Sequence, residues 1–327
     1  MKAITQSKAA NNSESIVPAD ATQELIKRYL DSLDVKPRSK ETYRKALKHF
    51  TDWLSSKGTP SVVRETILQY KNELSGRYTA CTVSGYMTAV RCFYTYLEAE
   101  KITPNVAAGV KGAKSRQGFR KGSLTAEQAM KVLREIDTTH LEGKRDFALI
   151  NLLTRTGLRT VEAERANIED IRNEAGETLL YVQGKGRDEK DAFVLLTEDT
   201  LNPIRDYLKA RGRAQESEPL FISFSDRNRG ERLTTRSISR IAKEALIRAG
   251  YDDSKLTAHS FRHTAITLSL QGGATIQEAQ ALARHSSINT TMIYSHNLNR
   301  IGRAPERKID AMLTIVQEGG GLNDNKF

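Results

Sequence analysis

Apolar side chains recur at three- and four-residue intervals through the first third of the chain. Leu25, Ile26, Tyr29, Leu30 and Leu33 form one such stripe. Tyr43, Leu47, Phe50 and Leu54 form a second, opened by Pro37 and Ser39 and closed at Gly58. That spacing lines one face of a helix, with proline and glycine as start and stop signals. A third helix is expected over 62–74. A fourth carries Val83, Tyr86, Val90, Phe93, Tyr94 and Leu97 and stops before Pro104. Four helices with short connections predict a small bundle over residues 22–110. Residues 1–21 are polar and lack aromatics, so a disordered tail is expected ahead of it. At that length no further domain is expected ahead of the bundle.

The pattern then breaks. Residues 111–123 contain five basic residues (Lys111, Lys114, Arg116, Arg120 and Lys121), three glycines and no acid, which predicts a flexible cationic linker. A second domain is expected over 124–300, entered through a cap at Ser123-Leu124-Thr125. A helix over 143–156 (Phe147, Ile150, Leu153) should end at Gly157. A turn then presents Arg159, with a short helix at Glu162. Residues 179–182 and 192–196 read as two strands, with Gly184-Lys185-Gly186-Arg187 at their turn. A helix around 203–211, a short strand at 220–222 and a helix over 235–249 complete a chain that is mainly α with a small antiparallel β-sheet. A last helix carrying Ile309, Met312, Ile315 and Val316, within 301–327, ends in a flexible tail. Its stripe suits docking either on a neighbouring protomer or on its own domain.

Charge sharpens this picture. Lys and Arg number 51 against 40 Asp and Glu in 327 residues, a net charge of +11. Such an excess favours a polyanionic partner, because each phosphate neutralised releases condensed counterions. The two cysteines, Cys81 and Cys92, lie in a helical pattern and read as buried apolar residues of a reducing compartment. No segment has the apolar length of a membrane span or a signal peptide, so a cytoplasmic, nucleoid-associated protein is expected.

The candidate chemistry lies in five separate stretches. His259, Arg262 and His263 sit at i, i+3 and i+4 and share a helix face, a set suited to holding an anion and moving protons. Tyr294 follows the turn-rich stretch after His285. Taken singly, each residue also has a plain structural reading. Arg159 could pair with Glu162 or Glu164, Lys185 could be a solvated hairpin tip, and Tyr294 could be core. Metal ligation by His259, His263, His285 and His296 is disfavoured, because Ser260 stands where a zinc-protease helix has Glu.

Read together, the stretches resemble the tyrosine recombinases, the phage-integrase, Xer and Cre superfamily. Thr156-Gly157-Leu158-Arg159 with Glu162 is similar to the first catalytic box, and Gly184-Lys185-Gly186 to the hairpin lysine. His259-Ser260-Phe261-Arg262-His263 resembles the His-x-x-Arg box. His285-Ser286-Ser287 and the segment from Thr290 to His296 resemble the last histidine and the nucleophile. One departure is Ala283-Arg284 before His285, where the family often has Leu-Gly.

The resemblance implies a SAM-like core-binding bundle followed by an α+β catalytic domain. It implies site-specific strand exchange through a 3′-phosphotyrosine and a Holliday junction, with double-stranded DNA as partner, a homotetramer assembled on it, and no cofactor, metal or ATP. Tyr294 would be the nucleophile. Arg159, Arg262 and His285 would hold the phosphate, His259 would take the tyrosine's proton, and Lys185 would protonate the leaving oxygen. Glu162, His263 and His296 would support these, while the linker cations and Arg187 would contact DNA. Two alternatives share these residues: a type IB topoisomerase-like enzyme and a catalytically silent DNA-binding relative.

Overall fold

The computed structural model describes residues 19–58, 61–113, 122–184, 186–294 and, near the C-terminus, 306–307, 309–310 and 312–314. The chain divides into two compact units, Met1–Gln117 and Gly118–Phe327.

The first unit contains helices α1 (Ala19–Ser32), α2 (Pro37–Lys57), α3 (Arg64–Arg77) and α4 (Ala80–Ala99). Pro37 occupies the first turn of α2, where no backbone N–H is required. Gly58 closes that helix in the left-handed region (φ 61°), its N–H donating to the carbonyls of Leu54 and Ser55. The apolar stripes face inward, burying Leu47, Phe50, Tyr70, Val83, Met87, Val90, Phe93 and Leu97. Phe50 meets the edge of Tyr70 at 4.9 Å between centroids. Burial of each large side chain contributes roughly 1.5–3 kcal/mol, so Phe50→Ala alone would cost about 3–5 kcal/mol. Cys81 is exposed and Cys92 only partly buried, contrary to the sequence expectation. The reason is helical phase: Val83, Met87 and Val90 define the inner face of α4, and Cys81 lies off it.

The second unit runs α5 (Ala126–Arg134), α6 (Leu141–Thr156), α7 (Thr160–Arg165), β1 (Ile171–Glu174), β2 (Glu177–Val182) and β3 (Ala192–Leu195). It continues through α8 (Glu198–Arg211), α9 (Thr235–Arg248), α10 (Ala258–Gln271), α11 (Ile276–Ala283) and α12 (Ile288–Met292). Thr125 caps α5 reciprocally with Gln128. Helix α6 is the centre of this unit: Ala148, Leu149, Ile150, Leu152 and Leu153 are each fully buried, the all-round pattern of a core helix. Helices α8 and α10 pack against it.

The sheet is antiparallel in the order β1-β2-β3, with Ile171 opposite Leu180 and Leu180 opposite Val194. The sequence reading lacks β1 because Ile-Arg-Asn-Glu is a polar edge strand with little inward face. The available signal was Ala175-Gly176, whose positive φ values (52° and 85°) make the tight turn into β2. The short strand expected at 220–222 is instead an isolated bridge between Ile222 and Arg232. Helix α8 begins at Glu198, ahead of the expected Pro203, which sits within it. Glu198 and Asp199 favour that earlier start by lying at the positive end of the helix.

Ile309 and Met312 of the C-terminal stripe are helical and exposed, at 58% and 63%. Ile315 and Val316 fall outside the described residues, as do linker residues 114–121 and positions 1–18 of the tail expected over 1–21, whereas residues 19–21 of that tail open α1 instead. Among the described residues no helix is long and apolar enough to cross a membrane.

Candidate active site

Helix α6 ends at Gly157 (φ 62°), whose N–H donates to the carbonyl of Leu153 at 3.1 Å. A left-handed residue there reverses the chain at little strain only if it lacks Cβ. Two residues on, Arg159 caps α7. Glu162, one turn into α7, folds back on it. Its Oε2 accepts the Arg159 backbone N–H at 2.8 Å, and its Oε1 accepts from Arg159 Nη1 at 2.7 Å. Glu162 is fully buried and Arg159 retains 26% exposure, so the guanidinium faces outward from a fixed carboxylate.

Helix α10 supplies the second cation. Arg262 is 1% exposed. It donates from Nη1 to the Gly157 carbonyl at 2.5 Å and from Nη2 to the Ala283 carbonyl. One guanidinium thereby ties the end of α6 to the end of α11, using carbonyls that helix termini leave without internal partners. Arg284 follows in the left-handed conformation (φ 52°) as the cap of α11. Its Nη2 donates to Glu162 Oε2 at 2.8 Å and its Nη1 to the Leu282 carbonyl at 2.7 Å. In return, the Arg284 carbonyl accepts from Arg159 Nη2 at 3.2 Å. Two guanidinium groups thus pair with one carboxylate while Arg262 binds backbone carbonyls beside them, leaving a net charge of +2 from these four side chains.

The histidines and the tyrosine complete the cluster. Nδ1 of His285 and Oγ1 of Thr291 lie 2.9 Å apart. When the Thr291 hydroxyl donates, the imidazole proton resides on Nε2, which becomes a donor for an anion. The rings of His259 and His263 meet edge to face at 4.8 Å. His263 Nδ1 lies 2.5 Å from the Tyr294 oxygen. Tyr294 is 3% exposed and packs with Ile266, Leu270, Ala279 and Ala283.

The electrostatics follow this geometry. Burial pushes the Tyr294 phenol up to about 12, against the pull of Arg262 and Arg159. Burial also moves His285 down to about 4, helped by the charges of Arg262, Arg159, Arg284 and His259, so it is neutral at pH 7. Burial lowers Arg262 to about 9, reinforced by Arg159, and the group remains a cation at neutral pH. For Glu162, burial acts upward but is outweighed by Arg284 and by hydrogen bonds from Arg159, which hold it below the usual carboxylate range. The arrangement can bind a phosphate and stabilise added charge on its oxygens.

Of the residues proposed from sequence, Arg159, Glu162, His259, Arg262, His263, His285 and Tyr294 come together in the second unit. Lys185 and His296 lie outside the described residues, although Gly184 beside the former is held by Arg165 Nη1 at 3.1 Å. Lys114, Arg116, Arg120 and Lys121 also lie outside them. Lys111 is exposed, and Arg187 pairs with Asp191. Arg284 and Thr291 have site contacts that sequence reasoning did not assign. The Arg284 departure from the family pattern was visible, but its reach to Glu162, 122 residues away, had no local signal. Among the described residues no group of three His, Cys, Asp or Glu side chains is disposed to hold a metal.

Both units of the chain match known protein families. Residues 123–300 match the Phage integrase family, and residues 26–101 match the Phage integrase, N-terminal SAM-like domain. A Tyrosine recombinase XerC of Caldanaerobacter subterraneus is 34% identical over 217 residues, covering 64% of this chain and 57% of that protein. A Tyrosine recombinase XerC of Oceanobacillus iheyensis is 31% identical over 280 residues, covering 80% of this chain and 87% of that protein. Among solved structures, the XerH site-specific recombinase bound to palindromic difH substrate superposes with a TM-score of 0.69 at 20% identity, covering 86% of this chain and 82% of that one. A lambda integrase tetramer bound to a Holliday junction gives a TM-score of 0.66 at 19% identity, with coverages of 86% and 78%.

Proposed function

The chain belongs to the phage integrase family, and from that premise we propose that it is a site-specific DNA recombinase whose nucleophile is Tyr294. The observation that carries the assignment of residues is the contact of the Tyr294 oxygen with His263 on α10, the helix whose Arg262 is tied to the Gly157 carbonyl two residues before Arg159. The phenol that burial holds up at about 12 is pulled down by the same two arginines, Arg262 and Arg159, that can clamp a phosphate.

The reaction is a transesterification. The Tyr294 oxygen bonds to phosphorus while the bond from phosphorus to the 5′ oxygen breaks, leaving a 3′-phosphotyrosyl ester and a free 5′-hydroxyl. The phenolic proton passes to an imidazole, His259 in the family-based assignment, with His263 already in contact with the phenol. A proton from Lys185 would go to the departing 5′ oxygen. Arg159 and Arg262 face the charge that accumulates on the non-bridging oxygens, and neutral His285 adds a donor through Nε2. One phosphoester replaces another, so the step needs no external energy source. Attack by a 5′-hydroxyl from a second duplex reverses the chemistry with exchanged strands. Two rounds of exchange through a Holliday junction complete recombination.

In this reading the first unit, over 22–110, grips one side of the duplex, and the basic stretch at 111–123 follows the phosphate backbone. Four copies assemble on two duplexes, and the protein works on the nucleoid in the cytoplasm. A type IB topoisomerase would relax supercoils without rearranging sites.

The test uses a duplex drawn from the DNA flanking the gene, nicked beside the cleavage position so that the cut fragment diffuses away. Wild-type protein should accumulate as a covalent adduct, and Tyr294→Phe should bind the duplex without forming one. A plasmid bearing two such sites should invert or lose its intervening segment. Relaxation alone would overturn the recombinase assignment.

A further inference from the structure

Arg284 is an expensive residue where it stands. Its backbone is left-handed (φ 52°), a conformation in which a Cβ is strained, and its side chain is only 12% exposed. Its Nε is buried with no hydrogen-bond partner among the described residues. A glycine would relieve the first of these penalties and remove the others. What offsets them is a specific set of contacts. Nη1 closes on the Leu282 carbonyl of its own helix end at 2.7 Å, and Nη2 reaches Glu162 Oε2 at 2.8 Å and, more loosely, the Gly157 carbonyl at 3.5 Å.

The second contact reaches the reaction centre. A carboxylate has about four acceptor positions. On Glu162, Oε1 takes Arg159 Nη1, while Oε2 takes both the Arg159 backbone N–H and Arg284 Nη2. With Oε2 so occupied, Glu162 meets the Arg159 guanidinium through one oxygen only. The other amino group, Nη2, is turned to the Arg284 carbonyl at 3.2 Å. Without the Arg284 side chain, the buried carboxylate is free to rotate and take both Nη groups of Arg159 in a forked pair. That geometry would neutralise the Arg159 cation and hold it away from an incoming phosphate.

We propose that Arg284 is a positioning residue for strand cleavage: by occupying Glu162 Oε2, it keeps Arg159 singly tethered and aimed at the scissile phosphate. The proposal rests on the recombinase reading. It makes the Arg159-Glu162-Arg284 chain one unit, in which the central carboxylate is shared between a phosphate-binding cation and one held at the end of α11.

The experiment compares Arg284→Gly and Arg284→Lys with wild type on the nicked duplex, at protein concentrations that saturate binding. Arg284→Gly should remain folded, bind DNA within about threefold, and form the covalent adduct at least tenfold more slowly. Arg284→Lys retains the charge and one donor and should recover part of that rate. In a Glu162→Gln background, Arg284→Gly should add little further loss, because both act through the same carboxylate. Arg284→Gly cleavage at the wild-type rate, or losses that simply multiply, would overturn the proposal.

A readout independent of cleavage separates this failure from failure of the recombinase reading. Nitrogen NMR of the Arg159 guanidinium should give distinct signals for its two held Nη groups, and Arg284→Gly should change their splitting and exchange. If wild type forms no adduct, the recombinase reading falls. Arg159 signals unaltered by Arg284→Gly would show that Arg284 does not position Arg159.

Discussion

The Tyr294 oxygen lies 2.5 Å from Nδ1 of His263, with the tyrosine itself 3% exposed. This contact fixes the phenol's orientation and its proton's nearest route. With the phenol held up at about 12, roughly one in 10⁵ would be ionised at pH 7, so attack needs a proton acceptor within reach. His263 meets that geometric requirement, and its ring touches that of His259 at 4.8 Å, so the two form a short path outward. His263→Ala should slow covalent adduct formation about 100-fold while DNA affinity stays unchanged. Gel separation of adduct from free protein over time measures this. An unaltered rate would reduce His263 to a packing partner.

The helices of the first unit were legible because their apolar stripes also form its core. Phe50 and Val90 could be placed from spacing alone. That Arg159 joins His259 and Arg262 was readable only as a resemblance, since nothing local connects residues a hundred positions apart. The structure supplies the connection through the Gly157 carbonyl, which accepts from Arg262 at 2.5 Å. Strand β1 escaped notice because an edge strand with exposed Arg172, Asn173 and Glu174 carries no inward alternation. The contact of Arg284 with Glu162 was not legible either, because side-chain reach across a turn leaves no periodic trace.

Glu162 is the only carboxylate found among three arginines in the described site, and it is fully buried. Glu162→Ala would leave those cations facing one another with no counter-charge. Removing one partner of a buried ionic set typically costs about 3–5 kcal/mol. Urea denaturation should show a loss of that order. Inorganic phosphate should restore part of it, by binding in the vacated cationic pocket of the folded state. Full stability without phosphate would mean that the arginines reach solvent more readily than their burial indicates.

Gly157 should tolerate no side chain. Its φ of 62° is strained for any residue with Cβ, and an added Cβ would come within 3.3 Å of Ala265 Cβ. Gly157→Ala should therefore destabilise the second unit by about 1–2 kcal/mol. The damage should reach the chemistry as well, because the Gly157 carbonyl anchors Arg262. Slower adduct formation should accompany a lower melting temperature. A stability loss with wild-type cleavage would show that Arg262 keeps its aim independently of this turn.

His285 gives the stability of the fold a defined pH dependence. Burial first, and then the charges of Arg262, Arg159, Arg284 and His259, lower it from 6.5 to about 4. Between those values an unfolded chain binds a proton at His285 that the folded chain excludes. Unfolding then takes up protons, so stability rises with pH across this window and is lost as pH falls from about 6.5 towards 4. The shift corresponds to at most about 3–4 kcal/mol, and because His285 is only partly buried, screening brings the expected effect nearer 1–2 kcal/mol. Glu162 acts lower: its folded pKa lies below 4.5, so its contribution is intact above 4.5 and disappears as pH falls through the folded value. The two windows can therefore be separated. Urea midpoints at pH 7.5 and pH 5 should differ more for wild type than for His285→Gln, and the difference between the two proteins isolates His285 from the remaining histidines. Equal differences would mean that His285 binds its proton as readily in the folded chain as in the unfolded one, and that burial does not hold the imidazole neutral.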